Sequence, residues 1–244
     1  MKNYKLEIAY DGTNYSGWQT QKNGITIQGC IEKSIKYFLK IDTVNLIGSG
    51  RTDSGVHANN QSANVILSTK MNCEQIRKAI NANLFKDIFI RECVEVDIKF
   101  NSRFDAIRRE YIYHISNDFS PMNRFYSWQN NRNLNSGRLK ECADLIIGEN
   151  NFSLFSKASS ETKNKICVIH ESFWNFDDEF ISYKIVGNRF LQHMVRLIVG
   201  TMVEVSLDRI SIDDFKNMLS CKKIKATSER APARGLFLNK IYYE

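Results

Sequence analysis

The spacing of hydrophobic residues in the first half of the chain alternates between two periods. Apolar and polar side chains alternate over residues 4–10, which predicts a strand with one buried face. Thr26 then precedes Ile27, Ile31 and Ile35, and this spacing predicts a capped helix with one apolar face. The two patterns recur and predict strands at residues 4–10, 61–68 and 88–96 and helices that follow Thr26 and Asn72.

The second half shows a similar succession of strand and helix patterns. An apolar stripe from Phe190 to Val205 predicts its longest helix. Ser211 and Asp214 form an S-x-x-D capping signal for a short helix through Leu219. The remaining patterns predict strands at residues 110–116, 166–176, 180–186 and 236–241, and a helix at residues 139–146 that Gly148 ends.

These elements predict an α+β fold rather than a nucleotide-binding α/β fold. Two halves meet near residues 99–109, and each is predicted to be a largely antiparallel sheet backed by helices. We assign the halves to residues 1–105 and 106–244. Neither half contains the glycine-rich fingerprint of a dinucleotide-binding fold.

Composition adds a preference for a polyanionic partner. The 244 residues include 34 Lys and Arg against 27 Asp and Glu, a formal net charge of +7. A positive balance of this kind favours nucleic acid over acidic small molecules. The six cysteines are scattered without a C-x-x-C pair, which argues against zinc or redox motifs and predicts reduced thiols in the cytoplasm.

The longest apolar segment is too short and too charged to cross a membrane. Residues 191–205 are interrupted by His193, Arg196 and Glu204, whereas a span requires about 20 apolar residues. The first residues pass directly into an alternating pattern without the apolar core of a signal peptide. We therefore expect a cytoplasmic protein that binds no membrane.

A glycine-rich stretch at residues 48–58 carries the candidate chemistry. It sets the carboxylate of Asp53 close to the guanidinium of Arg51, and an ionised carboxylate suits a nucleophile or electrostatic stabiliser. A tight turn with a solvated Arg–Asp pair is the plainest alternative. The G-K-[ST] ending of a phosphate loop is absent, Asp53 and His57 lack further metal ligands nearby, and Ser49 and Ser54 lack the G-x-S-x-G spacing of a hydrolase.

The order of the residues in this glycine-rich stretch is more informative than its composition. Residues 50–58 read GRTDSGVHA, which resembles the motif G-R-T-D-x-G-V-H-A of the tRNA pseudouridine synthase A family. Four more family motifs follow the same order along the chain: YDGTNYSGWQTQ at residues 10–21, RFDAIRREYIY at 103–113, NRFLQHMVRLIVG at 188–200 and APARGLFL at 231–238.

The resemblance implies an isomerase that converts uridine to pseudouridine in the anticodon stem-loop of tRNA, at tRNA positions 38, 39 and 40. It implies two similar halves with the active-site cleft between them, and a homodimer. The reaction is redox-neutral and transfers nothing to a second molecule, so neither a cofactor nor a metal is expected. A uracil in a stem must leave the stack before a carboxylate can reach it, so base flipping is expected to precede chemistry.

The motifs also imply roles for individual residues. Asp53 matches the catalytic carboxylate, and Tyr111 matches the active-site tyrosine whose ring can stack on the uracil. Arg51 is expected to face RNA, and Leu236 to pack against the base. Arg196 stands on an apolar helix face, where it either pairs with Asp53 or extends to solvent. The RNA backbone is expected to be followed by Lys157, Lys163, Lys165, Lys222, Lys223, Lys225, Arg230 and Arg234.

Several positions depart from the family pattern, and two further classes of function compete. Glu110 precedes Tyr111 where a basic or neutral residue is commoner, Asn60 replaces a glycine, and Asn150–Asn151 replaces H-D.

An idle RNA-binding protein would have no use for a carboxylate among phosphates. An Asp-dependent glycosidase would need a second carboxylate at a set separation, and the motif supplies one.

Overall fold

A computed structural model describes residues 1–157, 162–177, 179–222 and 229–244 of the chain. The chain divides into two compact units. Unit 1 contains residues 1–107 and 237–244, and unit 2 contains residues 108–236. The predicted Lys223 and Lys225 lie outside the described residues.

Both units contain strands and α-helices, as the hydrophobic pattern predicts, although in unit 2 the strands β7, β8 and β9 and the helices α4 and α5 are consecutive. The strands are β1 (Lys2–Tyr10), β2 (Ile47–Gly48), β3 (His57–Leu67), β4 (Ile88–Val96), β5 (Arg108–Ser116), β6 (Trp128–Gln129), β7 (Gly148–Asn151), β8 (Ile166–Phe176), β9 (Ile181–Gly187) and β10 (Leu236–Tyr242). The helices are α1 (Ile27–Leu39), α2 (Cys73–Ala82), α3 (Ser136–Leu145), α4 (Met194–Ser206) and α5 (Ile212–Leu219). The α+β fold class is therefore confirmed.

Unit 1 is a mostly antiparallel sheet in the order β4-β1-β3-β10, with β2 paired to β3. Only the pairing of β10 with β3 is parallel among these strands, at Phe237 and His57. Both helices begin at the predicted caps, because Thr26 accepts from the backbone of α1 and Asn72 forms a capping box with Gln75 at the start of α2.

The core of unit 1 contains the apolar faces of these two helices. The isoleucines that set the helical spacing, Ile27, Ile31 and Ile35 of α1, are fully buried. The side-chain amide of Asn81 exchanges two hydrogen bonds with the backbone of Ile90, which fastens the end of α2 to β4. Strand β3, which begins at the end of the glycine-rich stretch, lies between β1 and β10 in this sheet rather than at its edge.

Unit 2 is built on an antiparallel sheet in the order β5-β9-β8-β7, with β6 parallel to β5. Helix α3 packs on β8 and against α4 and α5. The buried ring of Phe155 lies 5.7 Å from that of Phe215, which joins α5 to the core. Ser211 caps α5 by accepting the backbone N–H of Asp214, as predicted.

The structure differs from the prediction at several boundaries. Strand β3 begins at His57, so the end of the glycine-rich stretch is already sheet. Helix α4 begins at Met194 rather than Phe190, because His193 has a left-handed φ of 66° that ends the preceding loop. Gly148 does not cap α3 directly but opens β7. Residues 237–244 join unit 1, since β10 pairs with β3.

Within the described residues, no helix is both long enough and apolar enough to span a membrane. All six cysteines are free thiols. Three of them, Cys93, Cys142 and Cys167, are buried, and burial raises the pKa of each, to about 12, 12 and 11. These thiols are therefore protonated core residues at neutral pH, as the scattered spacing predicts.

Candidate active site

Two glycines of the YDGT…GWQ motif lie against the backbone of the glycine-rich stretch in unit 1. A Cβ on Gly12 would stand 2.0 Å from the carbonyl oxygen of Val56. Gly17 has a φ of +89°, and a Cβ there would stand 2.6 Å from the carbonyl oxygen of Thr52. No side chain fits at either distance, so the two glycines let the loop of residues 50–56 pack directly against the backbone of the first motif.

Buried polar contacts fix the same loop from several sides. The hydroxyl of Tyr10 lies 2.8 Å from Oγ1 of Thr52, and the N–H of Gly12 donates to Nδ1 of His57 at 3.1 Å. His57 is 1% exposed and its ring stacks on Phe237 at 4.6 Å. A residue in this environment is a structural anchor, and its nitrogen already has a donor.

Gln61 holds the start of the loop. Its side-chain oxygen accepts from Oγ of Ser49 at 2.6 Å, and its Nε2 donates to the carbonyl of Gly50 at 3.0 Å. Gln61 is fully buried, so these bonds are shielded from competition with water. The neighbouring departure, Asn60, donates instead to Glu7 at 3.1 Å, and the hold on the loop does not depend on it.

Asp53 and Arg51 are the charged residues of the loop, and both are accessible. The backbone carbonyl of Asp53 accepts from the N–H of Val56 at 3.2 Å, which closes a tight turn, and Gly55 supplies a φ of +77°. The Asp53 side chain is half-buried and Arg51 is exposed. The tight turn of the plainest alternative is therefore present, and the catalytic role of Asp53 stays a prediction.

The side-chain contacts of residues 48–58 also argue against a hydrolase and against a metal site. Oγ of Ser49 donates to Gln61 and Oγ of Ser54 donates to the carbonyl of Tyr15, so neither is aligned with an imidazole as a hydrolase nucleophile. Across the part of the chain that the structure describes, no three His, Cys, Asp or Glu side chains are grouped as metal ligands. What remains is one partly accessible carboxylate on a rigid loop.

Because Gly12 and Gly50 differ in their surroundings, alanine substitutions at the two positions are expected to differ in their effect on stability. Gly12→Ala is expected to lower the free energy of unfolding by at least about 1–3 kcal/mol, since its Cβ would overlap Val56. A Cβ on Gly50 would meet no atom within 4 Å, so Gly50→Ala is expected to change the free energy of unfolding by less than about 1 kcal/mol. Urea unfolding of the two variants measures both. Equal stability would mean that the loop does not rest on Gly12.

Tyr111 of unit 2 lies on β5 and is held by the NRFL motif. It pairs with Ile185 of β9 and is 8% exposed. The ring of Phe190 meets it edge-on at 5.1 Å and 84°, a favourable aromatic arrangement. Asn188 fixes the segment that carries Phe190, because its backbone N–H donates to the carbonyl of Val168 and its side-chain oxygen accepts from the N–H of Val168, both at 3.0 Å.

Glu110 points away from Tyr111. Successive residues of a strand face opposite sides of the sheet, so Glu110 lies on the other face of β5. It is buried and its carboxylate lies 3.2 Å from Nζ of Lys184, which also contacts Glu171 at 3.1 Å. Burial alone would lower the pKa of Lys184, but the hydrogen bonds that its ammonium donates to Glu171 and Glu110 raise it. This departure from the family pattern is a structural ion pair on the opposite face.

Arg196 is buried in unit 2, so the expectation that it extends to solvent is wrong. It is 8% exposed on α4, and its Nε donates to the carbonyl of Ala231 at 2.8 Å. The N–H of Ala231 donates back to the carbonyl of Arg196 at 3.1 Å. Four residues further along α4, a Cβ on Gly200 would stand 1.8 Å from the carbonyl of Glu229, so this face of α4 is shaped to receive the segment before Pro232.

Tyr113 anchors the other end of that segment. Its hydroxyl donates to the carbonyl of Pro232 at 2.8 Å, and a Cβ on Gly235 would stand 2.7 Å from its ring. Burial raises the pKa of Tyr113, although nearby Arg196 and Arg234 act to lower it. Tyr113 is therefore a neutral donor that fixes the backbone leading to Leu236.

Leu236 is 5% exposed at the start of β10, a position that also suits an ordinary core residue, so its contact with a base stays a prediction. The remaining basic residues lie mostly at the surface. Lys157, Lys163, Lys222, Arg230 and Arg234 are exposed, and Lys165 is half-buried.

The sequence alone did not assign the residues that hold the loop. Tyr10, Thr52 and Gln61 each occupy a family-motif position or stand near one, and that placement was the available signal. Their contacts join positions far apart in the chain, which a linear pattern does not reveal.

The chain as a whole is similar to known proteins. A family model described as "tRNA pseudouridine synthase" matches residues 8–105 and 142–244. The chain is 38% identical to tRNA pseudouridine synthase A of Acetivibrio thermocellus and 37% identical to that of Borrelia turicatae, over 100% of this chain and of each relative. It is 39% identical to that of Clostridium kluyveri over the same shares. The chain belongs to the tRNA pseudouridine synthase A family.

Proposed function

We propose that this chain isomerises uridine to pseudouridine in the anticodon stem-loop of tRNA, with Asp53 as the catalytic carboxylate. The observation that carries the proposal is the loop of residues 50–56, which is fixed on Gly12 and Gly17 and leaves Asp53 partly accessible beside an exposed Arg51. A rigid carboxylate of this kind meets the demand of catalysis for a pre-positioned group.

The reaction sets the requirements for the site. The bond between N1 of uracil and C1′ of ribose breaks, the base turns, and a bond from C5 to C1′ forms. The hydrogen on C5 leaves as a proton and N1 gains one, so the reaction is balanced without an oxidant or a second substrate. Asp53 attacks the flipped nucleotide and so allows the detached base to turn.

The other proposed residues bind and position the nucleotide. Tyr111, with its ring orientation set by Phe190, stacks on the uracil, a contact worth about 1–3 kcal/mol. Leu236 packs against the same base. Arg51 contacts RNA at the position that the flipped base leaves. The predicted pairing of Arg196 with Asp53 stays a prediction, and turnover by an Arg196 variant tests it.

The substrate and assembly are proposed in the same way. The exposed Arg51 and a formal charge of +7 support an RNA substrate. We propose the anticodon stem-loop and tRNA positions 38, 39 and 40 as targets, and a homodimer as the active form, on the strength of family membership.

Binding to tRNA is expected to weaken steeply with salt. Each phosphate that a Lys or Arg neutralises adds about 0.7–0.9 to the slope of log affinity against log salt concentration. Titrations of labelled tRNA over about 50 to 200 mM salt measure the slope. A flat response would show that the exposed basic residues do not contact phosphates.

Incubation of the purified protein with transcribed tRNA, followed by pseudouridine mapping, tests the proposed function. We expect pseudouridine in the anticodon stem-loop without any added cofactor. A protein that binds tRNA but modifies no uridine would instead be an idle RNA-binding protein.

A further inference from the structure

The RFDA motif presents an aromatic ring that the proposed function leaves without a role. Phe104 is 77% exposed, although it belongs to one of the five motifs shared with the family. A single exposed apolar residue is ordinary on a protein surface. Phe104 differs because the backbone that carries it is fixed and a cation lies beside its ring.

Buried contacts within unit 1 fix the turn of residues 101–105 that carries Phe104. Ser102 is fully buried, and its N–H donates to Oδ1 of Asn64 at 2.8 Å. The hydroxyl of Tyr243 donates to the carbonyl of Ser102 at 3.0 Å. Asn64 is itself 3% exposed, so the residue two positions before Phe104 is anchored in the core.

The turn is also closed by its own side chains. Oδ1 of Asn101 accepts the backbone N–H groups of Arg103 and Phe104 at 3.0 and 3.2 Å. Oδ2 of Asp105 accepts the N–H of Asn101 at 2.9 Å. The ring is thus held outward by a rigid turn, which keeps the ordering cost of binding low.

A cation lies beside the ring. The guanidinium of Arg103 is 5.6 Å from the centroid of Phe104, within the range of a cation–π contact. The exposed charges of residues 99–108 are Lys99, Arg103 and Arg108 against Asp105. An aromatic face in a positive segment is the combination that binds unpaired nucleotides, since the ring takes a base and the cation takes a phosphate.

We propose that Phe104 is a stacking platform for one unpaired nucleobase of the RNA substrate, with Arg103 beside it on the adjoining phosphate. The identity of that RNA as tRNA rests on the proposed function. The platform is distinct from Tyr111, which receives the uracil that reacts.

Three substitutions separate stacking from simple apolar contact. Phe104→Ala and Phe104→Leu are expected to raise the Kd for tRNA about 5- to 150-fold, since both remove the π-face. Phe104→Trp keeps that face and is expected to bind like the wild type, with its exposed indole fluorescence quenched by tRNA. Tyr37→Ala is the matched control, because Tyr37 is 73% exposed on α1 and is expected to be dispensable. Melting temperatures confirm that each variant is folded.

Two results would overturn the platform. A Phe104→Leu variant that binds tRNA like the wild type would show that no base stacks there. Variants that change the oligomeric mass but not tRNA affinity would make the turn a contact between copies of the chain. If either result is found and the wild-type protein still forms pseudouridine, the proposed function stands and only the platform fails. If the wild-type protein forms no pseudouridine, that result counts against the proposed function alone.

Discussion

Replacing Asp53 with asparagine is expected to lower pseudouridine formation by at least about 10³-fold while tRNA binding stays within about threefold of wild type. Asparagine keeps the shape of the side chain but removes the nucleophilic carboxylate. The backbone turn closed by Asp53 and Val56 needs no carboxylate, so the loop is expected to keep its conformation. Single-turnover pseudouridine assays and tRNA titrations measure the two quantities separately.

Asp42→Asn is the matched control for this variant. Asp42 is an exposed acidic residue of unit 1, so its replacement makes the same change in net charge away from the loop. Removing a negative charge near phosphates should leave binding equal or slightly tighter in both variants. Full activity of Asp53→Asn would remove this carboxylate from the mechanism, and equal loss in both variants would assign the effect to net charge.

Arg196→Met is expected to lower the rate of turnover about 10²- to 10³-fold, a range typical for the loss of one preorganised electrostatic contact. The expected change in tRNA affinity is no more than about threefold, because Arg196 is buried and cannot follow the RNA backbone. Methionine fills a similar apolar volume, but it leaves the carbonyl of Ala231 without its 2.8 Å donor, at a cost of about 1–3 kcal/mol in stability. The kcat and Kd of folded protein, below its melting temperature, report the two effects.

Arg209→Met provides the comparison, at a position just beyond the opposite end of α4. Arg209 is an exposed arginine that pairs with Glu204 of α4 at 3.3 Å, and its removal is expected to leave turnover and binding unchanged. An Arg196→Met variant that is folded and turns over at the wild-type rate would show that the guanidinium acts only in packing the Ala231 segment. A large loss of binding with unchanged kcat would instead assign Arg196 to RNA contact.

Much of the fold could be predicted because local patterns and tertiary structure agree. Local sequence predicts the caps at Thr26 and Ser211 and the bounds of β4, because each depends on residues close together in the chain. The pairing of β10 with β3 could not be predicted, because it joins residues about 180 positions apart and the sequence carries no signal for partner choice. That pairing is the reason the last residues belong to unit 1.

The candidate site was predictable as a set of residues but not as a structure. The motif string predicts Asp53 as the catalytic carboxylate, which stays a prediction, and the apolar stripe of α4 marks Arg196 as an unusual charge. The close approach of Gly12 to Val56 and the role of Gln61 depend on backbone distances that composition does not encode. Glu110 shows the converse, since the sequence marks it as a departure from the family pattern, and only the structure reveals its pairing with Lys184 on the face of β5 opposite to Tyr111.

The most direct measurement is release of tritium from tRNA labelled at C5 of its uracils. Isomerisation frees the C5 hydrogen to solvent, so each pseudouridine formed releases one label. We predict that the wild-type protein releases label from the anticodon stem-loop of transcribed tRNA with no cofactor added. A folded wild-type protein that binds this tRNA and releases no label would contradict the account.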